Sequence, residues 1–207
     1  MPADSSSETN EPDHRRQLIL ATARRHFMTQ GYASTRMEGV SREASVSTAT
    51  LYAFFPGKAE LFSAVIEDAA EDFSVQMAKV RAASGPAREQ LMLFTTTYGG
   101  FMADPFVRAI FRLVMAERPR FRETAMRFFE KGRTDFGAIL MSALQRLSDT
   151  GELTLTKPSW AAGQLMGMVE HPVFFMPLVT GDEVTPRRSV EQIAEDAVET
   201  FLARYGA

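Results

Sequence analysis

The chain has 207 residues, of which 45% are hydrophobic and 24% charged, and its net charge is −3. This composition is typical of a globular protein of one or two domains, and no stretch approaches the roughly 18 apolar residues of a membrane helix. The chain contains no cysteine, which excludes disulfides and thiolate metal sites. Together with a polar, acidic N-terminus, this favours a cytoplasmic protein without a secretory signal, and we predict no cofactor.

The charge is distributed unevenly along the chain. Residues 1–13 carry a net charge of −4, residues 14–58 carry +5, and the remainder carries −4. A short basic segment beside an acidic body is expected when one module contacts nucleic acid. If the charge distribution is considered alone, chance clustering of charged residues is an equally good explanation. The Ser, Glu, Asp and Pro content of residues 1–13 predicts a disordered tail.

Apolar periodicity predicts helices along the whole chain, without a strand pattern. Ile19, Ala23 and Phe27 form one stripe of a first helix, about 13–30, which Gly31 ends. Prolines at the starts of several later segments fit first-turn positions. The remaining predicted helices are about 37–44, 48–55, 58–80, 87–102, 105–116, 119–148, 158–179 and 188–205.

Two of these short helices are separated by a three-residue turn, Ser45–Ser47. Such a pair packed on a preceding helix predicts a helix-turn-helix, which places its second helix in the major groove of DNA. Thr35, three residues before Glu38, predicts a capping box at the start of the pair. The apolar residues expected to lock the pair are Val40, Ala44, Val46 and Leu51.

The run GYASTRMEGVSREASVSTATLYAFFPGKAELFSAV resembles the N-terminal domain of the TetR family of transcriptional regulators. The resemblance implies an all-α protein with an N-terminal three-helix DNA-binding head over 14–58. A larger helical body for ligand binding and dimerisation would occupy 59–207. The implied partners are double-stranded DNA, a second copy of the chain and a small-molecule effector, and no membrane. The matched features are Gly31-Tyr32, Thr35, Val40, Ala44, Val46-Ser47, Thr50-Leu51-Tyr52, Phe55-Pro56 and Lys58.

Carried over by position, the resemblance implies two kinds of DNA contact. Phosphate contacts are expected from Thr35, Tyr52 and Lys58, and Arg36 is predicted to add a backbone or groove contact. Base-facing positions begin the second helix, where Thr and Ala methyls suit the thymine methyl group. Taken singly, Tyr52 also fits packing, and Lys58 also fits a solvated charge. The predicted DNA-binding residues are Thr35, Arg36, Thr48, Ala49, Thr50, Tyr52 and Lys58.

Ser45 departs from the family pattern, which usually has glycine at this turn position. If its φ is positive, serine costs roughly 1 kcal/mol there relative to glycine.

The body is rich in methionine and phenylalanine, which adapt to varied apolar ligands but mostly form core. Tyr98, Trp160 and His171 combine an apolar ring with a polar tip, which favours a pocket for a hydrophobic or aromatic ligand. Pro172 predicts a kink that either borders this pocket or is purely structural. The predicted ligand-binding residues are Tyr98, Phe101, Met115, Phe129, Trp160, Met168 and His171.

The last helix has a wide apolar stripe, and the helix before it has two glycines four residues apart, which permit a close approach. We therefore expect a four-helix dimer interface, with two helices from each subunit. The predicted interface residues are Gly163, Gly167, Val190, Ile193, Ala197 and Phe201.

Together with these features, the resemblance to the TetR family implies a repressor that a small hydrophobic or aromatic ligand releases from a palindromic operator. Two alternatives stay open. A DNA-binding regulator without small-molecule input would share the head. An enzyme is disfavoured because the sequence contains no nucleophile elbow, phosphate-binding loop, dinucleotide fingerprint or zinc-protease motif.

Overall fold

The computed structural model describes residues 10–207, and most of them are helical. Within this range the β-structure is a single isolated bridge, between Leu153 and Gly206, so the predicted all-α class is confirmed. No helix of this range is both long and apolar enough to span a membrane. The α-helices are α1 (Asn10–Ser34), α2 (Met37–Glu43), α3 (Thr48–Phe54), α4 (Lys58–Arg81), α5 (Ala87–Met102), α6 (Pro105–Glu117), α7 (Arg122–Gly132), α8 (Ile139–Asp149), α9 (Pro158–Glu170), α10 (Met176–Thr180) and α11 (Val190–Tyr205).

The chain forms two compact units. Unit 1 runs to Ala69 and also includes Leu113–Ala125, and unit 2 comprises Ala70–Arg112 and Met126–Ala207. Helices α4, α6 and α7 each have residues in both units. Of the tail predicted to be disordered, residues 1–9 lie outside the described residues, and residues 10–13 belong to α1.

The predicted stripe of α1 lies in the core of unit 1. Ile19, Ala23 and Phe27 are fully buried, and the Phe27 ring packs edge-on against Phe62 with centroids 5.3 Å apart. Gly31 breaks the helical backbone with φ 75° and ψ 168°, where its lack of a side chain permits a positive φ. The chain then makes one further turn before α2.

In unit 2, proline and glycine positions predicted several helix bounds well, and α5 has the predicted limits. The helix predicted over 119–148 is instead two helices, α7 and α8, joined by the π-helical segment Arg133–Ala138. A second π-helical segment, His171–Phe175, contains Pro172, which lacks the backbone N–H of a regular helix.

Helix α11 begins with a complete capping box, in which Ser189 and Gln192 bond each other's backbone N–H groups. Its apolar side packs against α5 and α9. Gly99 permits this close packing, since a Cβ there would lie 2.9 Å from Val169 and 3.0 Å from Val190.

The turn between α2 and α3 is a Schellman motif with serine in the left-handed position. The N–H groups of Ser45 and Val46 donate to the carbonyls of Arg42 and Ser41 at 3.2 and 3.0 Å. The φ of Ser45 is 55°, so the condition raised by the family's usual glycine is met. The side chain therefore costs backbone strain that glycine would avoid.

We expect Ser45→Gly to raise the free energy of unfolding by about 1 kcal/mol, because relief of left-handed strain exceeds the added chain entropy of glycine. Urea unfolding followed by circular dichroism measures this change. Ser45→Ala is the matched control, since it keeps the Cβ and should bring no gain. Equal stability of the glycine and alanine variants would contradict the assignment of strain.

Candidate functional sites

Helices α2 and α3 form the predicted helix-turn-helix in unit 1. Val40, Ala44 and Leu51 are buried between the helices, as expected, whereas Val46 is half-buried. The Ser47 hydroxyl accepts a hydrogen bond from the Thr50 N–H at 3.0 Å and caps α3. The start of the second helix is therefore held by its own sequence.

One face of α3 is open to solvent. Thr48, Ala49 and Tyr52 are exposed at positions i, i+1 and i+4, which share one side of a helix. Thr50 is half-buried, and its hydroxyl lies 2.7 Å from that of Ser47. Arg36, exposed at the N-terminus of α2, adds a cation. The face of α3 thus combines methyl groups and hydroxyls, and Arg36 is a separate exposed cation on α2.

Thr35 and Lys58 differ from the other predicted DNA contacts because their polar groups bond backbone carbonyls of the protein. Thr35 is buried, and its hydroxyl donates to the Gly31 carbonyl at 2.8 Å. Lys58 donates to the carbonyls of Tyr32, Ala33 and Thr35 at 2.8, 3.0 and 3.0 Å. Both polar groups are therefore turned toward protein.

The predicted capping box at the start of α2 is wrong. The N-cap is Arg36, which makes no side-chain capping bond. Thr35 lies one residue too early, and its hydroxyl is engaged with the end of α1.

An ionic cluster that the sequence did not reveal braces α2 against α1. Glu43, the last residue of α2, lies 2.5 Å from the His26 ring and 2.6 Å from Arg25. The hydrogen bond from His26, followed by that from Arg25, lowers the pKa of Glu43 against the opposing effect of burial. The partners are 17 and 18 residues apart, a spacing that no helical periodicity marks.

The interior of unit 2 contains a cluster of aromatic rings. Phe73 and Phe136 are its centre, and their centroids are 5.3 Å apart. Tyr98 and Phe101 both contact Phe136, at 5.0 and 5.4 Å. The other rings in contact with the cluster are Phe94, Phe111, Phe128 and Phe174.

Two sets of hydrogen-bonded polar side chains adjoin this cluster. The Tyr98 hydroxyl donates to Glu170, whose pKa is raised by burial. Asp135 accepts from Ser74 at 2.9 Å and pairs with Lys131 at 2.8 Å, and this bond is the main reason that the pKa of Lys131 is raised. The cluster is therefore apolar with hydrogen-bonding groups at defined points.

The structure does not bring the predicted ligand-binding residues together in one site. Tyr98 and Phe101 belong to the aromatic cluster, and Met168 is half-buried on α9. Phe129 and Trp160 are 58% and 64% exposed. The two remaining residues are His171, exposed and stacked on Phe175, and Met115, which is half exposed and belongs to unit 1.

The apolar stripe of α11 is used inside the subunit. Ile193, Ala197 and Phe201 are buried in unit 2. Val190 is half-buried beside Gly99. A side chain buried in its own subunit is not available to a partner, so the expectation is corrected for Ile193, Ala197 and Phe201, whereas a four-helix interface that includes another side of α11 stays a prediction.

The two glycines of α9 do lie on the surface. Gly163 and Gly167 are exposed, and a Cβ at either would meet open space. Exposed apolar and aromatic residues continue from them in both directions along the chain. We call this set the α9–α10 stripe: Trp160, Gly163, Gly167, His171, Phe175 and Val179.

Comparison with known proteins agrees with this architecture. A family described as bacterial regulatory proteins of the tetR family matches residues 19–65. The C-terminal domain of AefR-like transcriptional repressors matches residues 89–207. The HTH-type transcriptional regulator YhgD of Bacillus subtilis (strain 168) is 41% identical over 51 residues, and this match spans about a quarter of each protein: 25% of this chain and 27% of YhgD.

Solved structures are similar over nearly the whole chain. A TetR-family transcriptional regulator from Mesorhizobium loti MAFF303099 has a TM-score of 0.81 and 26% identity, covering 95% of this chain and 98% of that one. The flavonoid-responsive regulator FrrA has a TM-score of 0.73 and 26% identity, covering 94% and 98%. With both the helix-turn-helix and more than half of the chain matched, the protein belongs to the TetR family of transcriptional regulators.

Proposed function

We propose that the protein is a homodimeric repressor that binds a palindromic operator and is released by a small hydrophobic or aromatic ligand. The observation that carries the proposal is the exposed face of α3, whose first turn is held by the Ser47 cap. DNA binding and regulation follow from the family, which also points to a regulator rather than an enzyme. Such a protein acts where the chromosome lies, which in a bacterium is the cytoplasm.

The proposed DNA surface separates base-facing from phosphate-facing groups. Thr48 and Ala49 present methyl groups suited to thymine, and the hydroxyl of Thr48 bonds donors or acceptors. Thr50, half-buried beside Ser47, is the third base-facing candidate. Tyr52 and Arg36 are exposed and carry the donors expected to meet phosphate.

We expect Arg36→Ala to weaken binding to all sequences and to lower the slope of log affinity against log salt by about one unit, because one phosphate contact is lost. Tyr52→Phe should weaken binding with little change of slope, since the phenol is neutral. A DNA duplex that the wild-type protein binds is first selected from a random pool. The affinity of each variant for this duplex is then measured by fluorescence anisotropy. Arg146→Ala, an exposed arginine of α8, is the control. Unchanged binding in both head variants would refute this surface.

The α9–α10 stripe supports a dimer through α9. Its glycines permit close approach of a second helix, and its aromatic residues supply apolar area. A two-fold partner presents the same stripe, as an isologous interface requires. To read a palindrome, such a dimer must hold its two recognition helices about 34–36 Å apart.

Gly163→Arg should convert the dimer to a monomer, because a charged side chain would occupy the space into which a second helix must pack. Size-exclusion chromatography with light scattering gives the mass at micromolar concentration. Gly100→Arg is the matched control, since Gly100 is also an exposed helical glycine with open space around it. A monomeric wild type, or a dimeric Gly163→Arg variant, would exclude an interface at this position.

Ligand control is supported by the chemistry of unit 2, by the description of one matching family and by one similar solved structure. The AefR-like family matched by residues 89–207 is described as repressors, and FrrA is flavonoid-responsive. The aromatic cluster, with the Tyr98–Glu170 pair at its side, suits a ligand of rings and hydroxyls. A ligand can release the dimer from the operator only if the ligand binds the DNA-free arrangement of the dimer more tightly than the DNA-bound arrangement.

A hydroxylated flavonoid at about 100 times its dissociation constant should raise the melting temperature by several degrees and weaken operator binding. Tyr98→Phe should reduce this response, because the variant lacks the hydroxyl bonded to Glu170. Tyr205→Phe, which removes the hydroxyl of a half-buried tyrosine bonded to Gln164, is the control. A panel of flavonoids, phenols and fatty acids with no effect at saturation would favour the alternative of a regulator without small-molecule input.

A further inference from the structure

A cleft on the surface of unit 2 combines two arginines with two hydroxyl groups. Its volume is about 260 Å³, which is below the roughly 300 Å³ of the smallest pockets that enclose a drug-sized molecule. The cleft therefore suits a small ligand or one end of a larger one. The residues that line it all belong to unit 2, and they are Arg81, Thr134, Ala138, Ile139, Ser142 and Arg146.

Two helical stretches bring these side chains together. Thr134, Ala138, Ser142 and Arg146 follow one another at intervals of four residues, and residues four apart share one side of a helix. They lie along the continuous stretch that runs from the π-helical segment into α8. Arg81, the last residue of α4, reaches the same cleft from a different helix. Both stretches thus present a cation to one space.

The polar groups of the cleft have no partner within residues 10–207. Arg81 and Arg146 are exposed, and neither makes a hydrogen bond or an ion pair in this range. The hydroxyls of the lining threonine and serine likewise have no bond there, and no carboxylate lines the cleft. By contrast, Arg88 pairs with Glu195 at 3.2 Å, and Arg133 pairs with Glu130 at 2.7 Å. The donors of the cleft are therefore available to a ligand.

Donors of these types match the chemistry of a phosphate group. A guanidinium directs N–H groups at two oxygen atoms at once, and each hydroxyl adds one more donor. A carboxylate offers two oxygen atoms and one charge, whereas a phosphate monoester offers three strong acceptor oxygens and nearly two charges. Residues 59–207 carry a net charge of −4, so two uncompensated cations at one cleft are a local exception to an acidic body.

We propose that this cleft binds the phosphate group of a small molecule through Arg81 and Arg146, with the two hydroxyls as further donors. Ala138 and Ile139 supply an apolar wall for the organic part of a phosphate ester. Such a ligand differs in chemistry from the hydrophobic or aromatic effector proposed above, and its binding does not depend on DNA. Without an anion the two guanidiniums repel each other, and a bound dianion removes this repulsion.

The test uses the full chain in Tris–chloride buffer near pH 8, where a phosphate monoester is mainly a dianion. The probes are inorganic phosphate, phenyl phosphate and benzoate, which carries a carboxylate on the same ring. Isothermal titration calorimetry measures affinity, and circular dichroism measures the melting temperature at matched ionic strength. The variants are Arg81→Gln and Arg146→Gln. Arg187→Gln is the matched control, because Arg187 is also exposed and unpaired within residues 10–207 but lies outside the cleft.

We expect phenyl phosphate to bind with a dissociation constant on the order of 0.1–1 mM, and about 10 mM of it to raise the melting temperature by about 3–10 °C. Arg81→Gln and Arg146→Gln should each weaken binding at least about tenfold, because a charge-assisted bond is lost, and Arg187→Gln should not. Benzoate should bind at least about tenfold more weakly than phenyl phosphate. Without phosphate, both cleft variants should melt no lower than the wild type, since one of two repelling charges is gone.

Tighter binding of phenyl phosphate than of inorganic phosphate identifies an organic phosphate as the ligand. Equal or tighter binding of inorganic phosphate identifies the free anion, and either result supports the site. The proposal is overturned if neither phosphate compound binds, if benzoate binds as tightly as phenyl phosphate, or if Arg187→Gln loses as much affinity as the cleft variants. It is also overturned if both cleft variants melt several degrees below the wild type without phosphate, because the arginines would then have a structural role.

Discussion

The helix-turn-helix of this molecule depends on how the backbone carbonyls at the end of α1 are paired with hydrogen-bond donors. A helix that stops leaves acceptors without partners, and burying them without compensation would cost more than most side-chain contacts gain. Here the chain breaks at Gly31, and the acceptors that follow are satisfied by one ammonium from α4. Because α2 starts directly after these acceptors, and α3 follows α2 through a Schellman turn, this bonding determines the path of the chain into the helix-turn-helix.

The helical class, the helix-turn-helix and most helix limits were predictable because their signals are local. Prolines, glycines and caps act within one turn, so the limits of α5 were predicted to the residue, and Ser45 was marked as a position where a positive φ would cause strain. Contacts between distant residues were not predictable. The spacing of Thr35 and Glu38 suggested a cap, but the hydroxyl bonds Gly31 instead, and the partners of Lys58 lie 23 to 26 residues away.

The sides of α9 and α11 show a second limit of sequence patterns. Both helices carry apolar positions, and periodicity states that each has a buried side without stating what buries it. In α11 the apolar stripe, including Phe201, packs within the subunit. In α9 it is the residues around Gly163 and Gly167 that are left exposed. The composition of the body likewise predicted an interior rich in aromatic residues, but it did not predict which residues form the cluster. Of the predicted ligand-binding residues, only Tyr98 and Phe101 belong to it.

The composition of unit 1 has a consequence for protein engineering. Leu113–Ala125 belongs to this unit, where Phe121 packs on Tyr32 and the Thr124 hydroxyl lies 2.9 Å from that of Ser63. A chimera that joins residues up to 69 to the body of another regulator would discard these partners and leave apolar rings uncovered. Exchange of DNA specificity between relatives therefore requires transplanting two segments of the chain together, or changing only the exposed residues of α3.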